Sequence, residues 1–235
     1  ADRIDITRQF YSQVSWPYYN IYLGIVMVFD AGDPPSVYGK GKVHCELVWS
    51  ANGTRYERIQ PGYDFIPHGS VDKHEFDSHI CFASAYPVKL ANETRIYYMG
   101  GDGPHYSPAY PSPGHRNSSF GLATMRPNGF VALRPAPGST KGVAKTMPLR
   151  VSGRYLFVTA DAAPKGIVSV QVSGGRLAGG VLKCTAVTGR NVTEEVLHGC
   201  DLESLVGEDV TLELILEEAA LYMVGFRNSP LEVFA

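Results

Sequence analysis

The sequence predicts an all-β protein, and the prediction depends on its apolar periodicity. Every second residue is apolar in two segments, 43–49 and 210–216. A period of two is typical of half-buried strands. No segment carries a sustained 3.6-residue apolar pattern with capping residues, and the one stretch expected to form a helical turn is 201–206. The fold class is therefore all-β.

Further strands are predicted, in chain order, from short apolar or aromatic runs separated by turn residues. Gly, Pro, Asn or Asp interrupts nearly every gap between the runs, as expected for an all-β chain. The runs are 21–29, 95–99, 120–125, 130–133, 155–159, 167–172 and 221–226.

Two Gly/Pro-rich stretches divide the chain. The stretch 100–114 reads GGDGPHYSPAYPSPG and is too rich in Gly and Pro for regular structure. Long loops in compact domains are often functional. The second stretch, RPAPGSTKGVAKTMPL, follows Leu133, and the chain beyond it contains no Trp and fewer aromatic residues. We therefore expect a domain boundary near Thr140, with domains at 1–140 and 141–235.

Charge and hydropathy exclude two classes of partner. The 235 residues include 21 Lys+Arg and 23 Asp+Glu, for a net charge of −2, so we expect no nucleic-acid binding driven by bulk charge. The longest apolar run, 21–29, is far shorter than the roughly 20 residues of a membrane helix, so we expect no membrane span. No basic segment followed by an apolar one opens the sequence, and we expect any signal peptide to have been removed.

Sequons and cysteines indicate a secreted glycoprotein. Chance predicts about one Asn-x-Ser/Thr sequon here, under the sequon rule. The sequence has four, at Asn52, Asn92, Asn117 and Asn191. None of the four cysteines belongs to a CxxC pair, and an even count in a secreted chain indicates two disulfides with three possible pairings, or else buried thiols. We favour Cys45–Cys81 and Cys184–Cys200, because each pair then lies within one half of the chain.

Several motifs together resemble a known family. In order, they read YERIQPGYDFIPHG, EFDSHICFASAYPV, RIYYMGGDGPH and SSFGLATMRPNGFVAL. They resemble the last blades of invertase-like, five-bladed-propeller glycosidase-like proteins. The later segments RYLFVTAD and DLESLVGEDVTLELILEEAALYMVGF are similar to the β-sandwich appended to such propellers. The likeness extends over nearly the whole chain, and GLATMRPNGFVAL and LYMVGF are its more specific parts.

The resemblance implies a partial five-bladed β-propeller at 1–140, followed by a jelly-roll-like β-sandwich at 141–235. It also implies that the first blade, which carries the catalytic Asp in invertase-like enzymes, lies upstream of this sequence. The chain would then be a cleavage product bound to an N-terminal partner chain, a truncated homologue adapted to binding, or a fragment. Because a partial propeller has open edge strands, we expect a partner chain or self-association.

Glycoside hydrolysis usually needs two carboxylates. The resemblance makes Asp77 and Asp102 the catalytic candidates, each with a structural alternative as a turn residue. It makes Arg8, Tyr11, His79 and His105 substrate-binding candidates on the inner strands and the Gly-rich loop. Tyr106 and Tyr110, in the same loop, join them because flat rings stack on sugar faces.

No metal or other cofactor is predicted. The histidines His74, His79, His105 and His115 match no ligand spacing, and calcium has no selective residue pattern here. Nucleophile-elbow, P-loop and dinucleotide motifs are also missing from the sequence.

The sequence thus favours a secreted glycoprotein that acts on or binds carbohydrate and is inactive without upstream blades. The alternatives are a non-catalytic extracellular assembly protein and a lectin.

Overall fold

A computed structural model describes residues 8–31, 41–105 and 116–230. Strands make up 58% of the structure, and the helices of these ranges are two 3-10 turns, Gly175–Leu177 and Glu203–Leu205. The all-β prediction is therefore confirmed. None of the helices in the described ranges is long and apolar enough to cross a membrane.

The chain forms two compact units, Ala1–Pro127 and Asn128–Ala235. The boundary between the units precedes the predicted boundary near Thr140, because residues from 128 onward form hydrogen bonds within the second unit. The side-chain amide of Asn128 donates to Thr159 Oγ1 at 3.3 Å and to Glu194 Oε1 at 2.8 Å. Leu133 then pairs with Leu221 in an isolated antiparallel bridge.

The first unit contains an eight-stranded sheet in the order β1-β2-β3-β5-β7-β6, with β4 added to β3 and β8 to β7. Neighbouring strands are antiparallel except for β3 and β5, which pair in parallel at Val43 and Ile80. Its strands are β1 (Arg8–Tyr18), β2 (Ile21–Asp30), β3 (Lys42–Ser50), β4 (Glu57–Arg58), β5 (Ile80–Ala83), β6 (Val88–Lys89), β7 (Thr94–Gly101) and β8 (Ser118–Met125).

The interior of the first unit is centred on β2, β3 and β5. Ile25, Val43 and Ile80 are fully buried there. A disulfide between Cys45 and Cys81 links β3 to β5. The two strands share one ladder pair, and the disulfide adds a covalent link between them.

The second unit contains a seven-stranded sheet built on two long strands, β11 and β15, which pair along most of their length. The Cys184–Cys200 disulfide lies in this unit. Its strands are β9 (Lys141–Lys145), β10 (Leu149–Arg150), β11 (Tyr155–Gly174), β12 (Val181–Lys183), β13 (Val187–Thr188), β14 (Asn191–Asp201) and β15 (Asp209–Arg227).

Two pairs of predicted strands are each a single strand in the structure. The runs 155–159 and 167–172 both belong to β11, and the runs 210–216 and 221–226 both belong to β15. The pairing register shifts between Ala162 and Ile167. Pro164 and Gly166 therefore mark an irregularity within a continuous strand rather than a loop. The run 130–133 does not form a strand, and only Leu133 makes a bridge.

Candidate functional site

The first unit has an open cleft of about 710 Å³ where β1, β3 and β4 come together. Its lining combines three aromatic rings with amide, hydroxyl and charged groups. The residues are Phe10, Tyr11, Ser12, Gln13, Val26, Val48, Arg55, Tyr56, Glu57, Arg58 and Pro61. This composition fits a polar ligand that has at least one flat apolar face.

A bulge in β1 supplies the aromatic wall. The β1–β2 register passes from the Phe10–Val28 pair to the Ser12–Met27 pair, so Tyr11 is the extra residue. Bulges redirect the neighbouring side chains. As a result Phe10 and Tyr11 both line the cleft, although they are consecutive in the strand, and Phe10 is 63% exposed.

The floor of the cleft is apolar and its far wall is held by a buried ion pair. Val26 and Val48 pack together beneath Tyr56. Arg58 donates from Nε and Nη2 to the two carboxylate oxygens of Glu46, at 2.7 and 2.8 Å. Glu46 is 2% exposed. The ion pair therefore fixes Arg58, whose guanidinium lies 5.7 Å from the centre of the Phe10 ring.

Charged residues at the rim remain accessible. Arg55 and Glu57 approach each other at 4.0 Å and their side chains are 86% and 59% exposed. An exposed pair of this kind contributes little to stability. Both side chains are therefore available to a ligand.

Among the predicted site residues, Tyr11 and His105 lie together. Tyr11 stacks on Phe29 with ring centres 5.0 Å apart and meets the His105 ring edge-on at 4.8 Å. Burial, followed by the positive charge of Arg116, lowers the pKa of His105, and burial raises the pKa of Tyr11. Of the predicted substrate-binding residues that the structure describes, Tyr11 is the one that lines the cleft.

Asp77, a predicted catalytic residue, is a buried hydrogen-bond acceptor. The hydroxyl of Tyr98 donates to its Oδ2 at 2.6 Å, and Asp77 and Tyr98 are each 8% exposed. Burial and this carboxylate together raise the pKa of Tyr98. A side chain at Gly100 would place its Cβ 2.6 Å from Asp77 Cβ, so glycine is required for this close packing. The contacts give Asp77 a structural role in the first unit.

Asp102 and His79 also lie close together. The Asp102 carboxylate accepts from the backbone N–H of Asn117 at 2.7 Å and from its side-chain amide at 3.0 Å. The backbone of Asp102 also bonds His79, but burial, with smaller effects from Lys42 and His68, lowers the pKa of that ring. His79 Nδ1 lies 3.0 Å from Ser78 Oγ.

The remaining predicted residues lie apart from the cleft lining or beyond the described part of the chain. Arg8 forms an exposed ion pair with Asp30 at 2.9 Å. Tyr106 and Tyr110 lie outside the described residues. The sequon asparagines Asn52, Asn92, Asn117 and Asn191 are all exposed.

Sequence reasoning missed most of the cleft. It did not select Phe10, Tyr56 or Arg58. The segment 56–69 was singled out as a motif, so the signal for Tyr56 and Arg58 was present. Nothing in the sequence showed that Glu46, twelve positions earlier, is the partner of Arg58.

No protein-family model matches the chain, and a search of the curated proteins finds no match.

Proposed function

We propose that this chain is an extracellular carbohydrate-binding protein and that the sugar occupies the cleft between β1 and β4. The observation that carries the proposal is the lining of that cleft, where Phe10, Tyr11 and Tyr56 offer rings and Gln13 and Arg55 offer hydrogen-bond donors. Aromatic rings pack on the C–H faces of sugars, and polar side chains satisfy the hydroxyls. The cleft volume of about 710 Å³ is within the range of small-ligand sites.

Binding is favoured over hydrolysis by the positions of the acidic residues. Among the described lining residues of the cleft, Glu57 is the one carboxylate, whereas hydrolysis usually employs two. Asp77 and Asp102 are bonded to Tyr98 and Asn117. In this proposal the cleft therefore binds carbohydrate without hydrolysing it.

The proposal includes an architecture and a compartment. The first unit would correspond to the last blades of an invertase-like five-bladed propeller and the second to the appended jelly-roll-like sandwich. Support comes from the motif order, the β content and the presence of two units. Two disulfides and four exposed sequons support secretion and N-glycosylation.

The direct test is a glycan array of the secreted full chain, followed by calorimetry with the best oligosaccharide. Phe10→Ala should weaken binding by about two- to tenfold, since stacking of one ring contributes roughly 0.5–1.5 kcal/mol. Tyr86→Ala is the matched control, because Tyr86 is also an aromatic residue of the first unit, is 63% exposed like Phe10 and does not line the cleft. Equal affinities of the two variants, or no glycan bound by the wild type, would refute the proposal.

A second function, assembly with another chain, is favoured by β8. Within the described sheet, β8 pairs only with β7, and its Phe120 and Leu122 are 88% and 46% exposed. An open edge strand with exposed apolar residues is suited to strand addition. We propose an N-terminal partner chain at this edge. Native mass spectrometry of the secreted protein should show a second chain, lost on Leu122→Lys; a lone monomer would contradict the assembly function.

A further inference from the structure

Two histidines and one aspartate converge in the first unit, outside the cleft. His44 Nδ1 lies 2.6 Å from Asp64 Oδ1, and His68 Nδ1 lies 2.9 Å from Asp64 Oδ2. One ligand-type atom from each of the three residues lies within 4.8 Å of the other two. The residues come from β3 and from the segment that follows β4, so folding alone brings them together.

The second nitrogen of His68 is also engaged. His68 Nε2 lies 3.1 Å from the carbonyl oxygen of Val43. In the neutral ring, a proton on Nε2 that is donated to this carbonyl leaves Nδ1 as a lone-pair donor pointing at Asp64. Metal-ligating histidines commonly have this arrangement, with the distal N–H held by a backbone carbonyl.

The donor set determines which metal would suit the cluster. Two imidazole nitrogens and one carboxylate oxygen suit zinc and neighbouring divalent transition metals, whereas calcium and magnesium prefer a larger set of oxygen ligands. Thiolate competition is excluded, because all four cysteines are in disulfides.

The cluster is anchored on one side and open on the other. The side chain of His68 is 6% exposed, while those of His44 and Asp64 are 24% and 27% exposed. A metal ion therefore has a route from solvent to the cluster. Tetrahedral zinc separates its ligand atoms by about 3.4 Å. The 2.6 Å and 2.9 Å separations would each need to widen by less than about 1 Å, which small movements of the partly exposed His44 and Asp64 side chains can supply.

We propose that His44, Asp64 and His68 form a binding site for a divalent transition metal, with zinc as the resident ion and water as the fourth ligand. His44, Glu46 and Val48 alternate along β3 and share one face of it. The metal would lie on the face that forms the cleft floor, roughly 13 Å along the strand from Val48. The inference does not depend on the proposed carbohydrate function.

The experiment is a titration of the metal-free, disulfide-intact full chain with zinc chloride, followed by calorimetry, and with cobalt chloride, followed by visible absorption. The wild type should bind one equivalent of each metal, and cobalt should give the intense visible bands of a four-coordinate site. His44→Gln and Asp64→Asn should each weaken zinc binding by about tenfold or more. His198→Gln is the matched control, because His198 is an exposed histidine of the second unit.

The outcomes separate a metal site from a simple His–Asp ion pair. Absence of stoichiometric zinc binding by the wild type overturns the proposal, as does unchanged affinity in folded His44→Gln and Asp64→Asn. If those two variants fail to fold, the imidazole nitrogen NMR shifts of the wild type decide. Large changes of His44 and His68 on adding one equivalent of zinc support the site, and unchanged shifts overturn it.

Discussion

The two units place their polar groups differently. The interior of the second unit is one continuous apolar cluster that includes Leu156, Leu205, Leu212 and Leu216, all at most 1% exposed. Its buried polar residues, among those described, are Asn128 and Thr159. The first unit instead buries Glu46, Ser50, Asp77, Ser78 and Thr94 among its apolar residues.

The difference shows how each unit is stabilised and what it can do. An apolar interior gains stability from burial without directional requirements. Buried polar groups need partners in fixed positions, such as Arg58 for Glu46 and Tyr98 for Asp77. Arg58, which Glu46 holds in place, lines the cleft, so the proposed binding site lies in the first unit, and the second unit is suited to be a scaffold.

Loss of Glu46 should have the largest effect on stability. Glu46→Ala removes the two carboxylate oxygens that accept from Arg58 and should lower the free energy of unfolding by about 3–5 kcal/mol, the usual result of breaking a buried pair. Urea unfolding followed by tryptophan fluorescence is the suitable probe, because Trp16 and Trp49 both lie in the first unit. Glu57→Ala, at an exposed carboxylate of β4, is the control and should change stability by less than about 0.5 kcal/mol. A loss below about 1 kcal/mol for Glu46→Ala would show that the pair does not hold the wall.

The second largest loss of stability is expected when a substitution creates a cavity in the second unit. Leu212→Ala should cost about 3 kcal/mol, because Leu212 is 1% exposed within the continuous cluster. Circular dichroism during thermal unfolding measures the loss. The oligosaccharide affinity should not change, and a tenfold weaker affinity would contradict the division of roles between the units.

The Tyr98–Asp77 bond predicts a somewhat smaller effect and an alkaline pH dependence. Tyr98→Phe removes a hydrogen bond to a carboxylate and should cost about 2 kcal/mol at neutral pH. Because folding raises the pKa of Tyr98 above its ordinary value of 10.0, the stability that it contributes is present below pH 10 and is lost as the pH rises above it. The variant should therefore be less sensitive to alkali than the wild type in unfolding measurements between pH 9 and pH 11. Parallel pH profiles would contradict this assignment.

The smallest effect is expected from His105. Burial and Arg116 lower its pKa from the ordinary value of 6.5, so its contribution to stability is present above pH 6.5 and is lost as the pH falls below that value. His105→Phe retains a ring against Tyr11 and Phe29. It should remove this part of the loss in the free energy of unfolding below pH 6.5. Proton NMR titration of the His105 ring checks the direction. A midpoint at or above 6.5 would contradict it.

The sequence predicts strands better than it predicts their partners. Alternation in 43–49 identifies β3, and the turn expected at 201–206 contains the 3-10 turn Glu203–Leu205. However, alternation also implied a polar outer face for β3, and there Glu46 and Val48 are buried. The Arg58 side chain and the β4 segment that cover them come from a distant part of the chain, which periodicity cannot show.

The residues that form the cleft and the His–Asp cluster are likewise hard to predict from the sequence, because contacts between distant parts of the chain bring them together. Turn chemistry offered Asp102 an alternative role as a turn residue, but it does not predict that the Asp102 carboxylate accepts from the backbone N–H of Asn117, fifteen residues later. The spacing of His44, Asp64 and His68 matches no metal motif, because the antiparallel bridge between Cys45 and Ile66, rather than one helix or loop, brings them together. Similarly, Phe10 enters the cleft through the bulge at Tyr11, and no residue pattern in β1 marks that bulge.

The central claim is that carbohydrate binds to the first unit, and hydrogen exchange of the full chain with and without its best oligosaccharide tests it most directly. The second unit provides an internal comparison, because it has a cleft of about 490 Å³ lined by residues that include Tyr155, His198 and Arg227. We predict slower exchange in 10–13 and 55–61 and no change in 193–201. Protection confined to 193–201 would contradict the account.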